Sequence, residues 1–148
     1  GTSQSLKKVS LRNRNASFPF EIPYRLVNMY SVENDVVLDP FCGLGTTNLA
    51  CMTAKRNSIG VDINYEIVNL ALDRINVTSN EVNQFIQSRI NAHLEFINSL
   101  DETKKAKFYK NDNYNFLVKT KQETAIYFQL IEKIENINNC IICKYSKI

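Results

Sequence analysis

The chain has 148 residues, 44% of them hydrophobic and 22% charged, with a net charge of +3, the balance of one globular domain rather than of a disordered segment. No apolar run approaches the roughly 18 residues of a membrane-spanning helix, and the opening GTSQSLKKVS has no apolar stretch behind its lysines, so neither a membrane partner nor a secretory signal is expected. Four cysteines without a paired framework argue against a secreted disulfide scaffold. The expectation is a soluble, cytoplasmic protein with a single domain over residues 1–148.

Residues 1–17 read as a basic arm. Residues 1–25 hold five basic side chains against one acidic, a local +4, which can meet phosphates or simply form a solvated terminus. Ser17 to Tyr24 is an aromatic turn punctuated by Pro19 and Pro23, and Pro23 suits the first turn of a helix running to Tyr30. Val36-Val37-Leu38 is a short β-branched run, the mark of a buried strand, and it stops at Asp39-Pro40. A glycine-bearing turn follows, then a helical run from Asn48 to Arg56. Ser58 to Asp62 reads as a second strand ending on a carboxylate. Asn64 is a good N-cap for a helix bearing Ile67, Val68, Ala71, Leu72 and Ile75.

This strand–helix–strand–helix order over residues 18–76 is the start of a doubly wound α/β sheet with parallel strands at about 36–39 and 58–62. From Val61 to the end, 88 residues contain neither Gly nor Pro, so residues 77–148 are expected to be a mostly helical extension. Thr78 to Glu81 has capping-box spacing and opens a helix to about Leu100. Asp101 to Asn115 reads as a charged, Asn-rich loop. Thr120 to Glu123 repeats the capping box and is expected to start a last helix, with Ile126, Leu130, Ile134 and Ile137 on one stripe; Cys140 to Cys143 reads as a terminal strand.

The chemistry concentrates in Asp39-Pro40-Phe41-Cys42-Gly43-Leu44-Gly45-Thr46-Thr47. Two glycines permit a tight turn and close ligand approach, and the following helix directs N–H groups and its positive dipole end at a polar or anionic group. Asp62, 23 residues after Asp39, is placed to accept both hydroxyls of an adenosine ribose, or else to serve as a strand-end cap. The position of a third dinucleotide-type glycine is taken by Asn48, and no Gly-Lys-Ser/Thr follows, so neither the dinucleotide fingerprint nor the Walker loop is matched. His93 sits among polar helical residues, and Cys140 and Cys143 lack a second pair, so no metal site and no catalytic histidine are expected.

VVLDPFCGLGTTNLA followed by SIGVDINYEIVNLALDRI resembles the S-adenosylmethionine-binding half of amino-directed DNA methyltransferases, which modify cytosine N4 or adenine N6. NRNASFPFEIPYRLVNMYS resembles the segment preceding that motif in the permuted branch of the family, and TKQETAIYF the tail of some cytosine-N4 enzymes. The resemblance covers roughly residues 10–76 and implies a partial Rossmann-like methyltransferase fold. It implies that Asp39, Gly43, Gly45, Thr46 and Thr47 surround the methionine portion of S-adenosyl-L-methionine. Phe18, Pro19 and Phe20 would close over that end, Phe41 would wall the adenosine side, Asp62 would hold the ribose and Ile63 would pack on adenine. Without the neighbouring motifs, the three phenylalanines would read equally well as core aromatics.

The family's second motif, Pro-Pro followed by an aromatic residue, holds the target amine and stacks on the flipped base. This sequence has three prolines, Pro19, Pro23 and Pro40, and none are adjacent. No catalytic residue is therefore assigned. In the permuted branch that motif precedes the cofactor motif, so the reading is a cofactor-binding portion acting on double-stranded DNA with a complementary polypeptide or segment, inactive alone. The alternatives are a non-catalytic methyltransferase-like subunit and a fragment of an RNA guanosine methyltransferase, whose Pro-Pro-aromatic motif would follow the loop.

Overall fold

A computed structural model describes residues 18–148, and the basic arm 1–17 lies outside the described residues. The elements in chain order are α1 (Glu21–Tyr30), β1 (Val36–Asp39), α2 (Thr46–Thr53), β2 (Asn57–Gly60), α3 (Tyr65–Asn76), α4 (Ser79–Asn98), α5 (Glu102–Lys105), β3 (Tyr109–Lys110), β4 (Leu117–Val118), a 3-10 turn (Lys121–Glu123), β5 (Gln129–Ile137) and β6 (Cys140–Lys147). They fall into two compact units, one built on residues 18–77 with Glu135–Ile141, the other on Thr78–Ile134 with Ile142–Ile148. Among the described residues no helix is long and apolar enough to cross a membrane.

In the first unit β1 and β2 pair in parallel, Val36 opposite Asn57 through Asp39 opposite Gly60, as the α/β reading expects. Helix α2 makes the crossover. Half of its sequence TTNLACMT is polar, yet six of its eight residues are buried, Thr46 and Thr53 among them and Cys51 completely. Val27 of α1 joins Cys51 and Ala54 in a small core, with Tyr24 and Val37 against it.

Helix α2 ends in a Schellman turn: Arg56 N–H donates to the Cys51 carbonyl (2.8 Å) and Lys55 N–H to that of Met52 (3.3 Å), with Lys55 at φ +57°. Arg56 then ties the ends of α1 and α2 together. Its Nε donates to Ser31 Oγ (3.1 Å), its Nη2 to the Ser31 carbonyl (2.7 Å), and its Nη1 to the Ala54 carbonyl.

On the other face of β1–β2, Val36, Leu38 and Ile59 are each more than half exposed. Among the described residues the sheet has only these two strands. Parallel strands are ordinarily covered on both faces, so this apolar face is an unusual feature.

The second unit departs from the expected helical extension. Helix α4 forms where its periodicity places it, burying Val82, Ile86 and Ile97, although Thr78 makes no side-chain cap bond. The last helix expected from Thr120 does not form. The capping box closes, with Thr120 N–H donating to the Glu123 carboxylate at 2.8 Å, but it supports only a single 3-10 turn. Residues Gln129–Ile137 are instead strand β5, paired with β6 through Asn138 and Asn139, whose φ values of +51° and +63° suit a two-residue hairpin turn. The isoleucines at helical spacing are also β-branched, and strand pairing overrides the periodicity.

Asn83 of α4 fixes β5 by bonding both backbone groups of Ile131, donating at 3.0 Å and accepting at 2.8 Å. The expected loop from Asp101 contains the short α5 and β3, and it is organised by the buried Asn111. That amide donates to the Glu123 and Ile126 carbonyls and accepts from the Asn113 and Tyr114 N–H groups. His93 packs edge-on to Phe116, its Nε2 lying 2.7 Å from the Leu117 carbonyl.

Candidate functional site

Strand β1 ends at Asp39, where the chain must leave the sheet. The Asp39 carboxylate accepts the Phe41 N–H (3.1 Å), an Asx-type turn. Val61 N–H donates to the Asp39 carbonyl and Cys42 N–H to the Val61 carbonyl, both at 2.9 Å, so the loop stays laced to the end of β2. Gly43 and Gly45 take φ of +50° and +71°, conformations that glycine adopts without a Cβ penalty. Gly45 N–H closes the turn on the Cys42 carbonyl (2.9 Å), and Gly45 serves as the N-cap of α2.

The two glycines differ in their surroundings. A Cβ on Gly45 would sit 3.1 Å from Ile75 Cδ1 and 3.3 Å from Ala71 Cβ, whereas one on Gly43 would meet nothing within 4 Å. The loop thus rests on α3 at Gly45 and faces open space at Gly43. At its start α2 offers backbone N–H groups that have no intrahelical carbonyl partner.

Strand β2 ends at Gly60, two residues earlier than the sequence suggests, so Asp62 lies just beyond the strand. Its carboxylate links the two motifs. One oxygen accepts the Gly43 N–H at 3.1 Å, and the other accepts the Asn64 N–H at 2.8 Å. Asn64 in turn caps α3 as expected, accepting from the Glu66 (3.0 Å) and Ile67 (3.4 Å) N–H groups. A carboxylate offers about four acceptor positions, so both oxygens retain capacity for hydroxyl donors.

Of the other expected site residues, Thr46 is buried and Thr47 half-buried. Phe18 and Thr47 line one groove of about 670 Å³ that runs past Ile22 and Leu26 of α1 and Val36 and Val37 of β1. Pro19 lends its carbonyl to the first turn of α1, accepting from Ile22 N–H (3.1 Å), and Phe20 stacks on Tyr24 with centroids 5.6 Å apart. Phe41 and Ile63 stand almost wholly exposed.

Burial, with the neighbouring charges of Asp62 and Asp39, pushes the Cys42 thiol pKa above its ordinary value. Among the described residues no three His, Cys, Asp or Glu side chains gather into a metal site.

Three residues shape the loop in places that the sequence reading did not assign to them: Gly60, Asn48 and Arg74. A Cβ on Gly60 would fall 2.8 Å and 2.9 Å from the amide of Asn48, which donates to Ser58 Oγ (3.1 Å), so Gly60 leaves room for helix α2. A strand-end glycine outside a turn is a sign of close approach, readable in principle. Arg74 reaches the loop from α3, donating to the Leu44 carbonyl at 3.1 Å.

Residues 2–73 match the N6_N4_Mtase family, described as DNA methylase. Over 139 residues the chain is 45% identical to Type II methyltransferase M.MthZI of Methanothermobacter thermautotrophicus, covering 92% of this chain and 38% of that protein. It is 39% identical over 98 residues to Type II methyltransferase M.MjaI of Methanocaldococcus jannaschii, covering 66% of this chain and 30% of that one. The chain therefore spans well under half the length of these relatives. Among solved structures, the M1.HpyAVI-SAM complex is 31% identical with a TM-score of 0.42, the match covering 51% of this chain and 37% of the other. The chain thus has Type II methyltransferase homologues, and its residues 2–73, which include the loop and Asp62, match the DNA methylase family.

Proposed function

We propose that residues 18–76 form the S-adenosyl-L-methionine-binding portion of a site-specific, amino-directed DNA methyltransferase of the permuted branch, acting on double-stranded DNA in the cytoplasm. The observation that carries this reading is the bond from Gly43 N–H to the Asp62 carboxylate, which brings the strand-end acid onto the glycine loop. Asp62 would hold the ribose hydroxyls, with Ile63 against adenine and Phe41 on the adenosine side. Asp39, Gly43, Gly45, Thr46 and Thr47 would surround the methionine end, and Phe18, Pro19 and Phe20 would close it. The exposure of Phe41 and Ile63 fits apolar walls that a ligand covers.

When bound, the cofactor supplies an electrophilic methyl group; this chain's residues orient it and present helix N–H groups to its carboxylate. Transfer also needs the target amine held in line. No Pro-Pro-aromatic segment occurs in residues 1–148, so that task falls to a segment or complementary polypeptide beyond them, and this chain alone would be inactive. The uncovered face of β1–β2 and the length of the relatives support completion by further sequence. Cytosine N4 is the favoured target over adenine N6, on the likeness of residues 120–128 to cytosine-N4 enzymes.

The test is tritiated-methyl transfer to mixed-sequence duplex DNA, with and without a polypeptide carrying the Pro-Pro-aromatic segment. Transfer only on mixing supports a divided enzyme. Robust transfer by this chain alone overturns the division, and intact cofactor binding without transfer in either case favours a non-catalytic subunit.

A further inference from the structure

Arg74 lies in the last turn of α3, twelve residues beyond Asp62, and its side chain turns back across the helix toward the glycine loop. Its Nη1 donates to the Leu44 carbonyl at 3.1 Å and lies 3.5 Å from Thr46 Oγ1. Leu44 stands between the two left-handed glycines, and both Leu44 and Thr46 are buried. The carbonyl of so buried a residue has little access to water and gains from a protein partner. A charged donor is a stronger partner than a neutral one.

We infer that Arg74 is a positioning residue for the glycine loop: it clamps the Leu44 carbonyl and the Thr46 hydroxyl while Asp62 clamps the Gly43 amide. The inference rests on the cofactor reading above for its consequence, though not for its geometry. The two clamps come from opposite ends of the same stretch, Asp62 just before α3 and Arg74 at its end, and Ala71 and Ile75 of the same helix pack beneath Gly45. The loop's shape is thereby set by α3 as much as by its own glycines. The guanidinium also places a positive charge beside the start of α2, where an anionic ligand group would be favoured.

The competing role is simpler: a cation in the last turn of α3 stabilises that helix through its dipole, whatever its shape. Lysine preserves this role, whereas it lacks the planar fork of arginine and reaches the loop less well.

The experiment is amide hydrogen exchange on the full chain, with calorimetric titration by S-adenosyl-L-methionine, for the parent, Arg74→Gln and Arg74→Lys. In Arg74→Gln the amides of Cys42, Gly43 and Gly45, each hydrogen-bonded at the loop, should exchange roughly tenfold faster beyond any change shared by the rest of the first unit, and the cofactor should bind at least about tenfold more weakly, as loss of one charge-assisted bond implies. Arg74→Lys should recover part of both. Unchanged loop exchange in Arg74→Gln, full recovery by lysine, or loss of protection spread over α1 and β2 would each overturn the inference. Loop exchange that depends on Arg74 in a parent that binds no cofactor would support the positioning role and refute the cofactor reading.

Discussion

Replacing Asp62 with alanine is expected to weaken S-adenosyl-L-methionine binding by about ten- to a hundredfold. Within the fold, the carboxylate accepts the Gly43 N–H at 3.1 Å and the Asn64 N–H at 2.8 Å. Both amides are near solvent, so water replaces the lost acceptor, and the cost to folding should stay near ~1 kcal/mol. On the proposed cofactor reading the ligand loses more, because the ribose hydroxyls would lose a charged acceptor held in place by two backbone amides. Charge-assisted bonds of this kind contribute about 1.5–3 kcal/mol, which converts to the stated factor. Asp62→Asn keeps the shape but turns an NH₂ toward one of those amides, so its affinity should fall between the two. Isothermal titration of the parent and both variants reads the effect, with thermal unfolding as a control for the loop. Equal affinity of Asp62→Ala and a binding-competent parent would refute the assignment.

Gly45→Ala should destabilise the first unit by ~2 kcal/mol, from left-handed strain together with the contacts to Ala71 and Ile75, whereas Gly43→Ala should cost only the strain, ~1 kcal/mol. Equal losses in denaturant titrations would contradict this packing. Asn111→Ala removes four hydrogen bonds from a buried position and should destabilise the second unit by about 3 kcal/mol or more, seen as early loss of protection around residues 109–128; near-parental protection there would contradict it. Burial pushes the Cys51 thiol from 9.0 to about 11. The unfolded thiol therefore loses its proton first, and stability should fall as pH rises from about 9 through 11, by up to ~2–3 kcal/mol. Cys51→Ala should lack that component; identical pH profiles for parent and variant would show that it is absent.

The parts of this protein legible from sequence are those governed by neighbours along the chain. Val36 to Leu38 ends at Asp39-Pro40, two glycines follow, and a helix and a second strand come next; each step reflects local backbone preference, and the parallel pairing follows from the crossover. Asn64 was readable as a cap for the same reason, since a short side chain bonding two residues on needs nothing distant.

What the tertiary structure decided depends on groups remote in sequence. Ile134 and Ile137 fit a helical stripe and a β-branched strand alike; the Asn138-Asn139 turn and the pairing with Cys140–Lys147 select the strand. The loop's partners, likewise, are set by where α3 lies. Arg74 reaches Leu44 across 30 positions, and Gly60 makes room for Asn48, contacts to which no local spacing points. Local propensity selects elements, but buried carbonyls and close Cβ approaches are satisfied only when those elements are packed, and that packing alone placed Arg74 on the loop.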